Sequence, residues 1–371
     1  MKAGLACLLC SIVSPLVFAQ MPANAPVAHQ GWQHCAQQSN DPVARLACYD
    51  RWVQQQGKPP SAPEAAPPPR PESAPDTARA PDCRSGPHST LSRYWELEAG
   101  SDCGRFNIRG YKPISLSWVH GDTVNTAPSS AASGRTASTA QPYMRNEMRI
   151  QLSVRTKIAS GLLPMLPADQ RDSLWFGYTQ QSYWQLFNSE ISRPFRTTDH
   201  EPEIMYILPT PVDLPGGWRL RYSGLSLNHQ SNGQTLPLSR SWNRAILMTG
   251  MELGDRYTLT GRLWKRISDG DGNSGSAAAG DDNPGIENTI GRAEVTGRWL
   301  VRPGHTVALT MRHSLRSEAN GSWRLEWLRP VDALSTGLQL HVQLFSGYGD
   351  ALVDFNRRRT MLSVGLSLVD W

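Results

Sequence analysis

In the run Arg219-Leu220-Arg221-Tyr222-Ser223-Gly224-Leu225-Ser226-Leu227-Asn228-His229-Gln230-Ser231-Asn232-Gly233, the residues Leu225, Leu227, His229 and Ser231 recur at every second position. In a β-strand all four side chains leave the same face. A histidine and a serine on a face that begins with leucines are costly as structure, because each polar group must find a partner at an apolar boundary. They make sense as chemistry: an imidazole can take the proton of a serine hydroxyl and make it a nucleophile, provided a third group fixes the imidazole tautomer. Asn243, in Ser239-Arg240-Ser241-Trp242-Asn243-Arg244, shares a face with Ala245 and Leu247 and can be brought beside His229 across a hairpin. Its amide oxygen would accept from the imidazole without the desolvation cost of an ionised carboxylate. The N–H of Gly233, unobstructed by a side chain and just past the serine, is a candidate oxyanion donor. Each piece also has a plainer reading: an incidental His-x-Ser, a hairpin or cap asparagine, and an Asn-Gly turn.

The elements that must position these groups are strands. In Ile114–Trp118 and Met148–Arg155, and again in Leu338–Leu344 and Leu362–Leu368, apolar and polar residues alternate with hardly an exception. Looser alternation marks Leu174–Leu186, Thr197–Leu208, Arg219–Ser231, Trp242–Leu253, Tyr257–Arg266, Ala293–Val301, Thr306–Arg312 and Trp323–Leu328. Period two means strands with two differently wetted faces, about twelve of them. The non-apolar positions are largely Ser, Gln, Thr and Gly with some Arg and Glu, which suits a polar lumen, while the apolar face would meet lipid. A sheet can span a bilayer only by closing on itself, since every backbone group there must be satisfied internally. The expected fold is all-β, a twelve-stranded antiparallel transmembrane β-barrel over residues 104–371. A secreted β-sandwich is the soluble alternative.

Composition narrows the classes further. The chain has 371 residues, 19% of them charged, and a net charge of +5 from 37 basic and 32 acidic residues scattered without blocks. No concentrated basic stripe exists for nucleic acid. No apolar run near 20 residues follows the N-terminus, which excludes a transmembrane helix. Residues 1–19, with Met1-Lys2, the apolar stretch Leu5 to Val17 and the ending Val17-Phe18-Ala19, read as a signal peptide cleaved before Gln20. Cys7 and Cys10 leave with it; Cys35, Cys48, Cys83 and Cys103 remain for an oxidising compartment, most simply as the disulfides Cys35–Cys48 and Cys83–Cys103. No CxxC pair or His cluster favours zinc. Residues 20–56 are expected to hold a small helical hairpin pinned by its own disulfide. Residues 57–103 form a linker, Pro-rich in that nine of the 26 residues from Gly57 to Asp82 are proline.

Several motifs, taken together, carry a resemblance. They are Tyr178–Glu190, Ser192-Arg193-Pro194-Phe195-Arg196, Glu201-Pro202, Asn228–Gly233, Ser239–Arg244, Asp281-Asp282-Asn283-Pro284 and Phe345-Ser346-Gly347-Tyr348-Gly349-Asp350; separately, the C-terminal aromatic ending Val369-Asp370-Trp371 resembles the assembly signal of bacterial outer-membrane barrels. In order and spacing the chain resembles the bacterial outer-membrane phospholipase A family over roughly residues 104–371. The resemblance implies a calcium-dependent enzyme of the bacterial outer membrane that hydrolyses acyl esters of phospholipids, active as a homodimer. It implies Ser231 as nucleophile, His229 as base, Asn243 as its orienting partner and Gln180 as a supporting residue. Calcium would be held by Ser192 from one chain and by Gln234, Ser239 and Asp282 from the other. Two positions depart from the best-known pattern, Gln234 in place of Arg and Leu236 in place of Asp. Gln234 can still offer its carbonyl oxygen, whereas Leu236 cannot coordinate through its side chain. The Ser268–Gly280 stretch reads as a loop insertion outside the resemblance. The rival function is a passive porin or structural barrel in which His229 and Ser231 are incidental.

Overall fold

A computed structural model describes residues 35, 41–56, 87–267, 280–331 and 337–368 of the chain. The expected signal peptide, most of the Pro-rich linker, Cys83, the Ser268–Gly280 insertion up to residue 279 and the terminal Trp371 lie outside the described residues. Two compact units are distinguished, Met1–Asp76 and Thr77–Trp371. In the first, helix α1 (Pro42–Gln56) begins at Asp41, whose carboxylate accepts from the Val43 N–H at 2.9 Å, and a disulfide joins Cys48 to Cys35. Cys103 is also disulfide-bonded.

The second unit is a closed barrel. Its strands are β2 (Ile114–Gly121), β3 (Asn146–Ser160), β4 (Ser173–Trp184), β5 (Phe195–Asp213), β6 (Arg219–Ser231), β7 (Ser241–Leu253), β8 (Tyr257–Ile267), β9 (Ala293–Arg302), β10 (His305–His313), β11 (Gly321–Pro330), β12 (Leu338–Gly347) and β13 (Arg359–Leu368), preceded by a short strand β1 (Ile108–Gly110) paired to β3. From β2 to β13 each strand pairs antiparallel with the next, and β13 pairs β2, which closes a ring of twelve. A closed ring leaves no unpaired edge to face lipid. The alternation read from the sequence is therefore the alternation of outer wall and lumen. Connections 214–218, 254–256 and 303–304 mark the short-turn end; 122–145, 185–194, 232–240 and 348–358 mark the other.

Leu225 and Leu227 are each 60% exposed, and Leu116, Leu152, Ile204, Leu247, Leu309 and Leu366 also leave the outer wall uncovered. So broad an apolar band would be untenable in water and is what a bilayer requires. The lumen is more highly charged than the sequence pattern suggested. Arg244 meets Glu201 at 2.8 Å, Arg312 meets Glu294 at 2.7 Å, Arg262 binds Glu203, and Arg196 meets Glu147 at 2.6 Å. Each ion is expensive to bury alone, and removing one partner of such a pair typically costs about 3–5 kcal/mol. The lattice thus ties distant strands together.

The Pro-rich linker, expected to run to Cys103, gives way earlier to a plug. Helix α2 (Thr90–Trp95) is capped by Ser89 and lies within the barrel near the short-turn end. Leu91 and Trp95, one turn apart, bury their side chains, and Trp95 meets Trp175 and Tyr222 edge-on with centroids 5.7 Å away in both cases. Glu96 closes the helix and is held by Arg109 and Lys157, both at 2.6 Å. Apolar anchors and paired charges in this segment match the lumen rather than a solvated tether. A cavity of about 240 Å³ remains in the lumen, bordered by Tyr94, Arg262, Glu294 and Glu326.

Candidate active site

His229 and Asn243 are direct cross-strand partners on β6 and β7. Both face outward, His229 in line with the exposed Leu225 and Leu227, and Asn243 in line with Leu247. The imidazole Nδ1 lies 2.8 Å from the Asn243 side-chain oxygen. An amide oxygen only accepts, so Nδ1 carries the ring proton and Nε2 is left with its lone pair. Ser231, two residues further along the same face, is half-buried at the long-loop end of β6. No hydrogen bond among the described residues joins Ser231 Oγ to the imidazole, an arrangement common in resting sites that tighten only around substrate.

The loop after Ser231 is held by Asn232, which is 3% exposed. Its side-chain oxygen accepts from the Arg240 N–H at 2.9 Å and its amide donates to the Leu238 carbonyl at 2.7 Å. This clamp returns the chain to β7 and leaves Gly233 at φ +60°, a left-handed conformation that glycine adopts without strain. Gln180 stands on the outward face of β4, its amide donating to Ser182 Oγ at 3.3 Å. Beside it, Tyr178 approaches His200 Nδ1 at 2.7 Å. Polar side chains thus form an outward-facing patch across β4, β5, β6 and β7 in a wall that is otherwise apolar.

The residues expected to bind calcium divide. Ser239 Oγ donates to Asp282 Oδ2 at 2.7 Å, and Ser241 Oγ lies 3.5 Å from the same oxygen. Oδ1 of Asp282 is taken by the Arg135 guanidinium at 2.6 Å. Arg135 is 2% exposed and comes from the 122–145 loop, which is anchored by Asn125 donating to Asp354 at 2.9 Å and Ser130 donating to the Asp282 carbonyl at 2.8 Å. Burial pushes the Asp354 carboxyl up, but Arg196 and Arg359 outweigh it and hold the group below the usual carboxylate range. Gln234 turns its amide away, onto the Arg196 carbonyl at 3.0 Å. Ser192 lies in the 185–194 loop, its carbonyl accepting from Trp184 Nε1 at 2.5 Å. Among the described residues no cluster of three or more His, Cys, Asp or Glu could by itself hold a metal.

Sequence reasoning passed over Arg135, Asn232 and His200. Arg135 acts on a residue 147 positions away, a pairing that spacing cannot show. Asn232 beside Gly233 carries in sequence only a turn signal. His200 had a legible signal: it alternates with Thr198, Pro202 and Ile204 on the lipid side of β5.

The phospholipase A1 family model matches residues 91–368. A candidate phospholipase A1 of Neisseria meningitidis serogroup B is 34% identical over 287 residues, covering 76% of this chain and 71% of that protein. The outer membrane phospholipase A of Escherichia coli superposes with a TM-score of 0.60 at 28% identity, covering 71% of this chain and 99% of that one. The Salmonella typhi outer membrane phospholipase dimer with bound calcium gives the same TM-score and identity, with 71% and 93% covered. A closed twelve-stranded barrel with these relatives is an enzyme of the bacterial outer membrane rather than a secreted sandwich or a passive pore. With its match running from the plug helix to the last strand, the chain belongs to the phospholipase A1 family.

Proposed function

We propose that this chain hydrolyses acyl esters of phospholipids through Ser231, His229 and Asn243, on the outer wall at the long-loop boundary. The observation that carries the reading is the 2.8 Å contact between His229 Nδ1 and Asn243 Oδ1, which leaves Nε2 basic on the face that bears Ser231. Ser231 Oγ attacks the ester carbonyl carbon while its proton passes to His229 Nε2. Collapse of the tetrahedral adduct expels the lysophospholipid, which takes that proton, and water then repeats the sequence to release the fatty acid. The Gly233 N–H would donate to the charge that develops on the carbonyl oxygen; one such donor is worth roughly 2.7–4 kcal/mol. A substrate anchored in the bilayer reaches this site laterally, along the apolar wall.

Calcium belongs to the same reading. Ser239 and Asp282 are hard oxygen donors already drawn together, so the donor chemistry suits a divalent ion. Ser239, Asp282 and the Gln234 carbonyl would hold it, with Ser192 supplied by a second copy in an active homodimer. When bound, calcium supplies positive charge for the oxyanion. Arg135 and the metal compete for Asp282, and Leu236 offers no carboxylate to compensate.

Turnover of a phospholipid in detergent, with millimolar calcium and then with excess chelator, tests this. Fatty acid release with calcium and its fall to background with chelator are expected. Release that chelator leaves unchanged would remove the metal from the account, and no release in either condition would contradict the hydrolytic reading.

A further inference from the structure

A second histidine flanks the serine. We propose that His200 is a catalytic residue of this site, its Nε2–H donating to the oxyanion formed at the ester carbonyl; the inference rests on Ser231 being the nucleophile.

His200 on β5 is the direct cross-strand partner of Ser231 on β6. Residues so paired carry their β-carbons about 4.5–5.5 Å apart on one face. The ring is turned toward the loop that follows the serine. A β-carbon built on Gly233 would lie 3.6 Å from His200 Cδ2 and 3.7 Å from Nε2. The Gly233 α-carbon and the His200 imidazole therefore border the same small space beside Ser231.

The tautomer follows from the other nitrogen. Tyr178 Oη lies 2.7 Å from His200 Nδ1 but 3.4 Å from Gln180 Oε1, the outer limit of a hydrogen bond. We assign the hydroxyl proton to the short contact, so that Nδ1 accepts and Nε2 carries the ring proton. The tyrosine and imidazole rings also stack at 6.2 Å, which fixes the orientation. Two imidazoles thus flank Ser231 in opposite tautomers. His229, with its proton given to Asn243, presents a base; His200, accepting from Tyr178, presents a donor.

The division balances the acylation step. Ser231 Oγ bonds to the carbonyl carbon, the carbonyl π pair moves to oxygen, and the hydroxyl proton goes to His229. His200 and Gly233 stabilise the new anion by hydrogen bonds without transferring a proton. A neutral donor suits this lipid boundary, where a fixed cation would be costly to desolvate.

The test uses the full chain in detergent, with His200→Ala, His200→Gln and Tyr178→Phe. His200→Ala is expected to lower kcat by about 10²–10³-fold with KM little changed. His200→Gln keeps an amide N–H and recovers part of the loss, and Tyr178→Phe falls between the wild type and His200→Ala. The rate at which a fluorophosphonate labels Ser231 falls in the same order, because the phosphonyl oxygen occupies the same hole. Heat-dependent migration on gels reports that each barrel has assembled. Undiminished kcat in His200→Ala, a loss confined to KM, or a Gln variant no better than Ala would overturn the proposal. Hydrolysis persisting in Ser231→Ala would instead overturn the reading on which it rests.

Discussion

Ser231→Ala abolishes phospholipid hydrolysis, a loss of at least about 10⁴-fold, while the barrel assembles as before. The two halves of that expectation have separate grounds. The hydroxyl contributes nothing visible to the fold: β6 is held by its backbone ladders to β5 and β7, and Ser231 Oγ makes no side-chain hydrogen bond among the described residues. Its loss leaves a half-buried methyl at the wall, a change ordinarily within about 0.5 kcal/mol for a surface position. Ser239 donates its hydroxyl to Asp282 at 2.7 Å and is too committed to serve as a second nucleophile. Fatty acid release by the purified variant, with gel mobility before and after heating, checks both halves; unchanged turnover would remove Ser231 from the mechanism.

His229→Ala produces a loss of comparable size, and the double variant with Ser231→Ala is no worse than either single one. Residues that act as one unit are strongly non-additive, since removing the base leaves a serine hydroxyl that is a poor nucleophile at neutral pH. His229 is exposed on the outer wall, and among the described residues its side chain pairs with Asn243, so the fold survives. Steady-state rates of the two single variants and the double variant form a complete cycle. Losses that multiply in the double variant would show that His229 acts independently of Ser231.

Much of this arrangement was legible before any coordinates because a barrel's alternation is local. Leu225, Leu227, His229 and Ser231 declare their common face at a spacing of two, and a strand's register across one hairpin suffices to bring in Asn243. The residues that remained hidden act across long separations. Arg135 reaches Asp282 from a loop whose path no periodicity encodes. The plug helix Thr90–Trp95 is only six residues long, too short for a helical period to emerge beside a proline-rich stretch. The charged lumen was underestimated for a similar reason. Arg149, Arg155 and Lys157 look like isolated polar positions in sequence, and only the closed ring sets Lys157 against Glu96 and Arg155 over Tyr94. His200 was visible in principle, but a histidine among Thr198, Pro202 and Ile204 lacks the serine two positions on that made His229 conspicuous.

The departures at Gln234 and Leu236 acquire a physical meaning in the folded chain. With no carboxylate at 236, Asp282 is the one acidic side chain of the proposed metal set, and Arg135 pairs with it at 2.6 Å. If calcium binds as proposed, the Arg135 guanidinium from the 122–145 loop competes with it for Asp282.

The most direct test of the account is covalent capture of the nucleophile. The assembled barrel in detergent is treated with a fluorophosphonate, digested and examined by mass spectrometry. A single phosphonyl adduct on Ser231, formed rapidly in the wild type and lost in His229→Ala, is the predicted result; no adduct, or one on a different serine, would contradict it.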